Sequence, residues 1–524
     1  MPIKDLPINP QLFRNIDEYE NDSNYQVIVD GYINQAGSIV KRDGLDIEIE
    51  ITDSLTIPST ITLDATRLDG IYWMEEVEMI VTVRYGNTFF ISDNEGTLTA
   101  TNVTVDPLNT SGNVTFASTT RYIDFTLDSV AYLGTYDILF MANGGRIVAA
   151  FRQDLSRDVT DFFTTELWDA DAPILVTHID FLDGYLIANS VGTNTFYWSE
   201  VDDPFTWTSG DLNSTSGYAS AEFDTDNIVA LKVFKRELFL FGSRSTEVWQ
   251  NDGETPFVRT NNGAFSTGCI APYSIATTEN YIYWLSDKKK LVRSNGGGIE
   301  VIPTAFDREI QEFDNVTDCT IQVMTVSGRS YLKLNFASEN STFVLTFQDE
   351  NFQNAAWARW GHWNSDAGDY DNFIGDFFAY SPTWNKHFLT GVAINDSDET
   401  VACLLEMSRD HVSDSNYPIR FLVRTGQIDH GILAYKRNKS LLLKLKRGSV
   451  DLATTPALMI RWKDDNKPNW SNEKTVSLGN IGDTFSTLEI PIGGIYRTRQ
   501  WEFACSDSVS FSIAKIQEDV EVLG

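Results

Sequence analysis

The sequence predicts an all-β chain, a six- or seven-bladed β-propeller with an additional C-terminal antiparallel β-sandwich-like domain. Three observations predict it. The chain holds 13 Trp, 20 Tyr and 32 Phe among many Val, Ile and Thr residues, a composition that favours strands, and no long stretch keeps the apolar spacing of an amphipathic helix. Strand–turn–strand units begin near Ile80, Ala131, Val176, Ile228, Tyr273, Ile321 and Phe373, at spacings of 51, 45, 52, 45, 48 and 52 residues. The charge balance shifts near residue 420: the residues from Arg420 onward carry 15 Lys and Arg against 12 Asp and Glu, whereas those before it carry 25 against 62, a net of −37. At 524 residues the chain exceeds a single ordinary core, so more than one domain is expected.

Residues 1–70 read as an extended entry segment with short strands. In residues 46–57, DIEIEITDSLTI, Ile47, Ile49 and Ile51 share one face and acids the other, the pattern of a half-buried strand. Residues 24–37 read as a strand and a turn. Over 71–419, each unit has an apolar run, a polar or Gly-containing turn and a second, aromatic-rich run, as in VTHIDFLDGYLIANSVGTNTFYWS. Three or four strands in roughly 50 residues is the size of a propeller blade. A single blade cannot bury both of its faces, so a row of such units implies a ring. From 420 to 524 the strands lengthen. In SLLLKLKR, Leu443 and Leu445 point inward and Lys444 and Lys446 outward, and the strands that follow suit one sandwich-like domain.

The formal net charge of −34 describes a surface that repels polyanions and argues against nucleic-acid binding over the whole chain. The four cysteines stand singly, so buried free thiols are expected and neither a disulfide framework nor a zinc site. The N-terminus shows no secretory signal and no run of eighteen apolar residues occurs, so assembly in a cytoplasm with no membrane span is expected. The five histidines lack metal-ligand spacing, and no nucleophile elbow or phosphate loop is present, so no cofactor, metal or catalytic residue is assigned and the chain is not read as an enzyme. Asp366, Asp369 and Asp371 read as a solvated acidic loop, with calcium ligation the alternative. Asp202 and Asp203 before Trp207, and Asp464 and Asp465 before Trp470, read as turn-capping acids. The basic group Lys436, Arg437, Lys439, Lys444, Lys446 and Arg447 is the candidate site: a solvated strand face, a docking surface for an acidic neighbour, or a DNA contact.

Residues 241–276, FGSRSTEVWQNDGETPFVRTNNGAFSTGCIAPYSIA, resemble the tail hub proteins of short-tailed bacteriophages, also called nozzle or packaged-DNA stabilization proteins. The resemblance extends to 328–363, with its Gly-x-x-Tyr, Thr-x-x-Leu and Trp-containing strands, and to the closing stretch from Arg461. There the glycines usual in the family's turn are replaced by Asp465-Asn466-Lys467-Pro468. The resemblance implies a virion protein of the tail: a homohexameric tube below the portal and its head-to-tail adaptor ring. Such a tube continues the DNA channel, helps retain packaged DNA, and anchors tail spikes or fibres and a needle or plug. Double-stranded DNA would pass through the lumen without specific binding. The competing reading is a propeller that binds or cleaves glycans, which predicts an aromatic and carboxylate-lined pocket at the propeller axis.

Overall fold

The computed structural model describes residues 4–5, 27–34, 36–51, 67–94, 97–103, 108–109, 112–127, 130–153, 162–207, 215–253, 256–352, 355–365, 367–450, 456–465, 467–478 and 485–523. Among these residues the chain is all-β but for one short helix, Asp307–Glu312, and no helix is long and apolar enough to cross a membrane. Residues 24–26 and 52–57 of the expected entry strands, Asp366 of the acidic loop and Asn466 of the Trp470 turn lie outside the described residues.

Five four-stranded antiparallel sheets follow one another, over residues 70–102, 115–166, 179–220, 228–265 and 276–301. A sixth group, 320–364, has four strands in the same meander order. A seventh, 375–408, has three, and its fourth is Gly44–Glu50 from the N-terminal segment, antiparallel to Thr400–Ser408. The hairpins carry their own turn chemistry. Asp183 and Gly184 have φ of 51° and 91° between the paired Leu182 and Tyr185, the backbone a two-residue turn needs to match strand twist.

Near-continuous apolar runs such as Glu237–Gly242 and Tyr185–Asn189, buried along nearly all their length, make the sheets apolar on both faces, so each must be covered on both sides. One cluster joins Val81 and Phe90 of the first sheet to Met141 and Val148 of the second. Others join the second to the third, the third to the fourth, the fourth to the fifth and the fifth to the sixth. The sixth meets the seventh through Tyr331, Trp360, Leu389 and Leu405. Finally Ile51, Phe388 and Leu404 pack on Ile80, Phe89 and Ile91, so the seventh sheet meets the first. The result is a propeller-like succession of sheets and a distinct C-terminal sheet region.

The segment 241–276 is held by interlocks within the fourth sheet and from it toward the fifth. Asp226 accepts hydrogen bonds from the Arg244 and Ser245 amides at 2.6 and 3.0 Å and from the Ser245 hydroxyl at 2.8 Å. Gly242 leaves room for that carboxylate, since a Cβ there would lie 2.3 Å from Asp226 Oδ2. The Gly242 carbonyl in turn accepts from the Cys269 amide at 2.9 Å.

The C-terminal strands share sheets and core with strands of the N-terminal segment and the sixth sheet. Val27–Val29 lies parallel to Ala356–Asn364 and antiparallel to Phe421–Arg424, and so links the sixth sheet to Arg499–Cys505, Ala457–Asp464 and Lys474–Ser477. A further sheet orders Gly31–Ile33, Ile39–Lys41, Val509–Val522, Lys436–Val450 and Phe485–Pro491. Leu443, Ile460, Trp501, Phe511 and Ile513 belong to the same core as the sixth and seventh sheets. Arg42 pins this junction: it binds Asp30 at 2.7 Å and Asp414 at 2.8 Å, and lies 4.9 Å from the Phe373 ring centroid. All three charged side chains are buried.

Candidate docking interface

The strand Lys436–Val450 forms because its side chains alternate in polarity, which places Leu441, Leu443 and Leu445 in the core. The phase of that alternation breaks at a bulge between Asn438 and Ser440, and the break divides the six basic candidates. Arg437, Lys439, Lys444 and Lys446 are exposed, whereas Lys436 and Arg447 are buried. The six therefore do not form one basic face. Lys444 stands across from Lys515 of the neighbouring strand, a lysine that sequence spacing does not group with them, and Lys439 pairs with Glu521 at 3.5 Å.

Lys436 has a structural task. Its ammonium donates to the carbonyls of Ala434, at 3.1 Å, and Arg497, at 2.5 Å, and ties the loop before the strand to the turn after Ile495–Tyr496. Below these two segments, Glu518 is fully buried. It accepts from the Tyr496 hydroxyl at 2.6 Å and from the Trp501 indole, and His430 Nε2 lies 2.8 Å away. Burial, with Glu518 beside it, pushes the Tyr496 hydroxyl well above its ordinary pKa. Arg499 grips Asp464 through two hydrogen bonds of 2.6 and 2.9 Å and lies 4.1 Å from the Tyr496 ring. On this base sit Ile432, Leu433, Tyr435 and Ile495, with relative exposures of 43, 69, 48 and 52%. Arg497 stacks on Tyr435 at 4.4 Å. The sequence signal for this apolar patch was the run GILAY directly before the basic strand.

The other candidates resolve into hydrogen bonds. Asp203 accepts from the Phe205 amide and the Thr206 hydroxyl at 3.1 and 2.8 Å, and Asp465 accepts from the Arg497 and Thr498 amides at 2.7 and 3.0 Å. Asp371 accepts from Asn340 and Asn364, and Asp369 from the Tyr370 amide. Among the described residues, no three His, Cys, Asp or Glu side chains are grouped to hold a metal, and the four cysteines are buried and free. Among the inner strands, Lys232 pairs with Asp180 at 2.8 Å, and His178 Nε2 reaches the Pro272 carbonyl at 3.1 Å. A cavity of about 310 Å³ lies between the fifth and sixth sheets, lined by residues that include Arg293, Glu300, Phe352 and Trp357. Arg293 is held there between Tyr281 and Phe352 and pairs with Glu300 at 2.9 Å.

A protein-family model described as Phage_stabilise, Bacteriophage P22 Gp10, beta-propeller, matches residues 70–387, from the start of the first sheet into the seventh. No curated protein matches the chain. Among solved structures, the extracellular domain of BT4673 from B. thetaiotaomicron is 12% identical, with 91% of this chain and 64% of that one covered and a TM-score of 0.39. The Nup170 NTD–Nup53 complex of Chaetomium thermophilum is 8% identical, covering 76% and 66%, with a TM-score of 0.36. Hsv2 of Kluyveromyces lactis is 9% identical, covering 56% and 96%, with a TM-score of 0.26.

Proposed function

The chain belongs to the Phage_stabilise family of phage tail and DNA-packaging stabilization proteins, and on that premise we propose that it is the tail hub, or nozzle, of a short-tailed phage. Family membership makes it a structural, stabilising protein and not an enzyme. In this reading six copies form a tube below the portal and its adaptor ring, in the tail of the virion. The tube continues the DNA channel, helps retain packaged DNA, and anchors tail spikes or fibres and a needle or plug.

The observation that carries the reading is the match over residues 70–387, which takes in the first six groups of strands and the first strand of the seventh. The clusters that join each sheet to the next, and the seventh to the first, support a closed seven-bladed propeller over 71–419, completed by Gly44–Glu50 from the N-terminal segment. The sheets of 420–524 make the additional sandwich-like domain. A propeller is a rigid block, and blocks repeated about an axis close without leftover edges. The net charge of −37 before residue 420 suits a bore past which phosphate slides without sticking.

The test is the mass of the purified protein, alone and with its adaptor ring, by light scattering with negative-stain imaging. A six-fold ring with a central hole is expected in at least one sample. A monomer without affinity for the adaptor overturns the reading and moves the search to host polysaccharides.

A further inference from the structure

The patch above Glu518 differs from a solvated turn in three ways. Its segments are tied together: Lys436 holds the Ala434 and Arg497 carbonyls together, Ile495 pairs across from Arg437, the Leu523 amide donates to the Tyr435 carbonyl at 2.8 Å, and Ile432 and Leu433 directly precede Ala434 and Tyr435. Its apolar members are large, and arginines border them: Arg437 across from Ile495 and Arg497 over Tyr435. Tyr and Arg around an apolar centre is the composition of interface cores rather than of free surface. It is also rigid underneath, since His430, Tyr496 and Trp501 are fixed on one buried carboxylate. A surface ordered before binding loses little further freedom when a partner arrives.

We propose that Ile432, Leu433, Tyr435 and Ile495 are the centre of a contact with a second copy of this chain, in which Arg437 and Arg497 meet carboxylates of that copy's residues 1–419. The proposal rests on the hub reading, which requires copies to assemble, and it names the face they use. Charge complementarity selects the occupant. The part of the chain that bears the patch has a net charge of +3, and the part before it −37, so each copy carries both halves of the match. Such a contact joins unlike faces, and unlike faces repeated around an axis close a ring. A nucleic acid fits the site poorly, because the centre is apolar and the whole chain carries −34.

The experiment compares wild type with Leu433→Asp combined with Arg497→Glu, by light scattering over a concentration series with and without the adaptor ring. Melting and circular dichroism of each protein are recorded beside it. Wild type is expected to assemble, and the variant to remain a monomer with native melting, because both side chains are exposed. A gentler variant, Leu433→Ala with Ile495→Ser, guards against misfolding and should raise the dissociation constant about 30-fold or more. Rings that survive both variants overturn this inference and leave the hub reading intact. A wild type that never assembles overturns both. Variants that form rings but lose the adaptor overturn it in favour of a different protein partner.

Discussion

At the scale of single residues, the buried polar groups make the sharpest predictions. His178 is fully enclosed, and burial pushes its imidazole down to about 4 from an ordinary 6.5, with Lys232 adding to the shift and the bond to the Pro272 carbonyl opposing it. The unfolded chain therefore binds the extra proton first. Between pH 6.5 and 4 stability falls as pH falls, and His178 alone accounts for up to about 3 kcal/mol of that loss. Urea denaturation of His178→Gln should show a shallower fall across this window than wild type. Arg42 presents the opposite problem. Its removal as Arg42→Met leaves Asp30 and Asp414 as buried carboxylates without a cation, which costs about 3–5 kcal/mol. A chemical denaturation curve for that variant with an unchanged midpoint would refute the clamp. The acid before Trp207 was legible in the sequence, since Asp203 bonds the Phe205 amide and the Thr206 hydroxyl of its own turn. Before Trp470 the expected turn caps reach instead to a distant segment, Asp465 to the Arg497 and Thr498 amides and Asp464 to Arg499. Lys436 was not legible, because the alternation that turns Lys444 and Lys446 outward would turn it outward too, and the bulge between Asn438 and Ser440 reverses the phase.

At the scale of elements, the strand Gly44–Glu50 and the residue after it decide how the succession of sheets holds together. Ile51 is buried between the seventh and first sheets, and its amide donates to the Ala402 carbonyl at 2.8 Å. Ile51→Pro removes that donor and empties part of the joint, at a cost of about 3 kcal/mol or more. Hydrogen exchange should then show lost protection first in residues 70–102 and 375–408, before the third and fourth sheets change. The sequence marked this strand by its alternating isoleucines but gave no sign of a partner some 350 residues away, since period reveals a face and not its neighbour. The repeat starts fared by the same logic. The last five lie within three residues of the first strands, at Ile179, Ile228, Ala276, Thr320 and Gly375. Ile80 and Ala131 instead fall in second strands; for Ala131 this is because Val130–Ala142 holds longer apolar runs than the strand before it. The second sheet also departs from the even period because its first two strands run to 13 residues each.

At the scale of the whole molecule, the proposed assembly sets the division of charge between the two parts of the chain against itself, one copy's C-terminal part facing the next copy's acidic part. If the exposed basic side chains of Lys436–Val450 help seat the C-terminal part on an acidic neighbour, Lys444→Glu with Lys446→Glu weakens assembly. The weakening should shrink as salt rises from 0.05 to about 0.5 M, because exposed charges are then screened beyond a few ångströms. Sedimentation at both ionic strengths measures it, and equal assembly of variant and wild type would remove these lysines from the contact. The composition step near residue 420 was plain in the sequence. Of the apolar patch beside it, Ile432, Leu433 and Tyr435 show as the run GILAY, but Ile495 was hidden, because it comes from a second segment that only the fold brings alongside.

The shared seventh sheet also sets a clock. Its fourth strand, Gly44–Glu50, leaves the ribosome long before its partner Thr400–Ser408 has been made. At ordinary translation rates that is a wait of roughly 20–70 s. During the wait the early strand keeps an open pairing edge and the first sheet an uncovered apolar face. The chain is thus most prone to entangle with its siblings while it is still being synthesised, and a cell that slows elongation over the middle of the message lengthens that exposure.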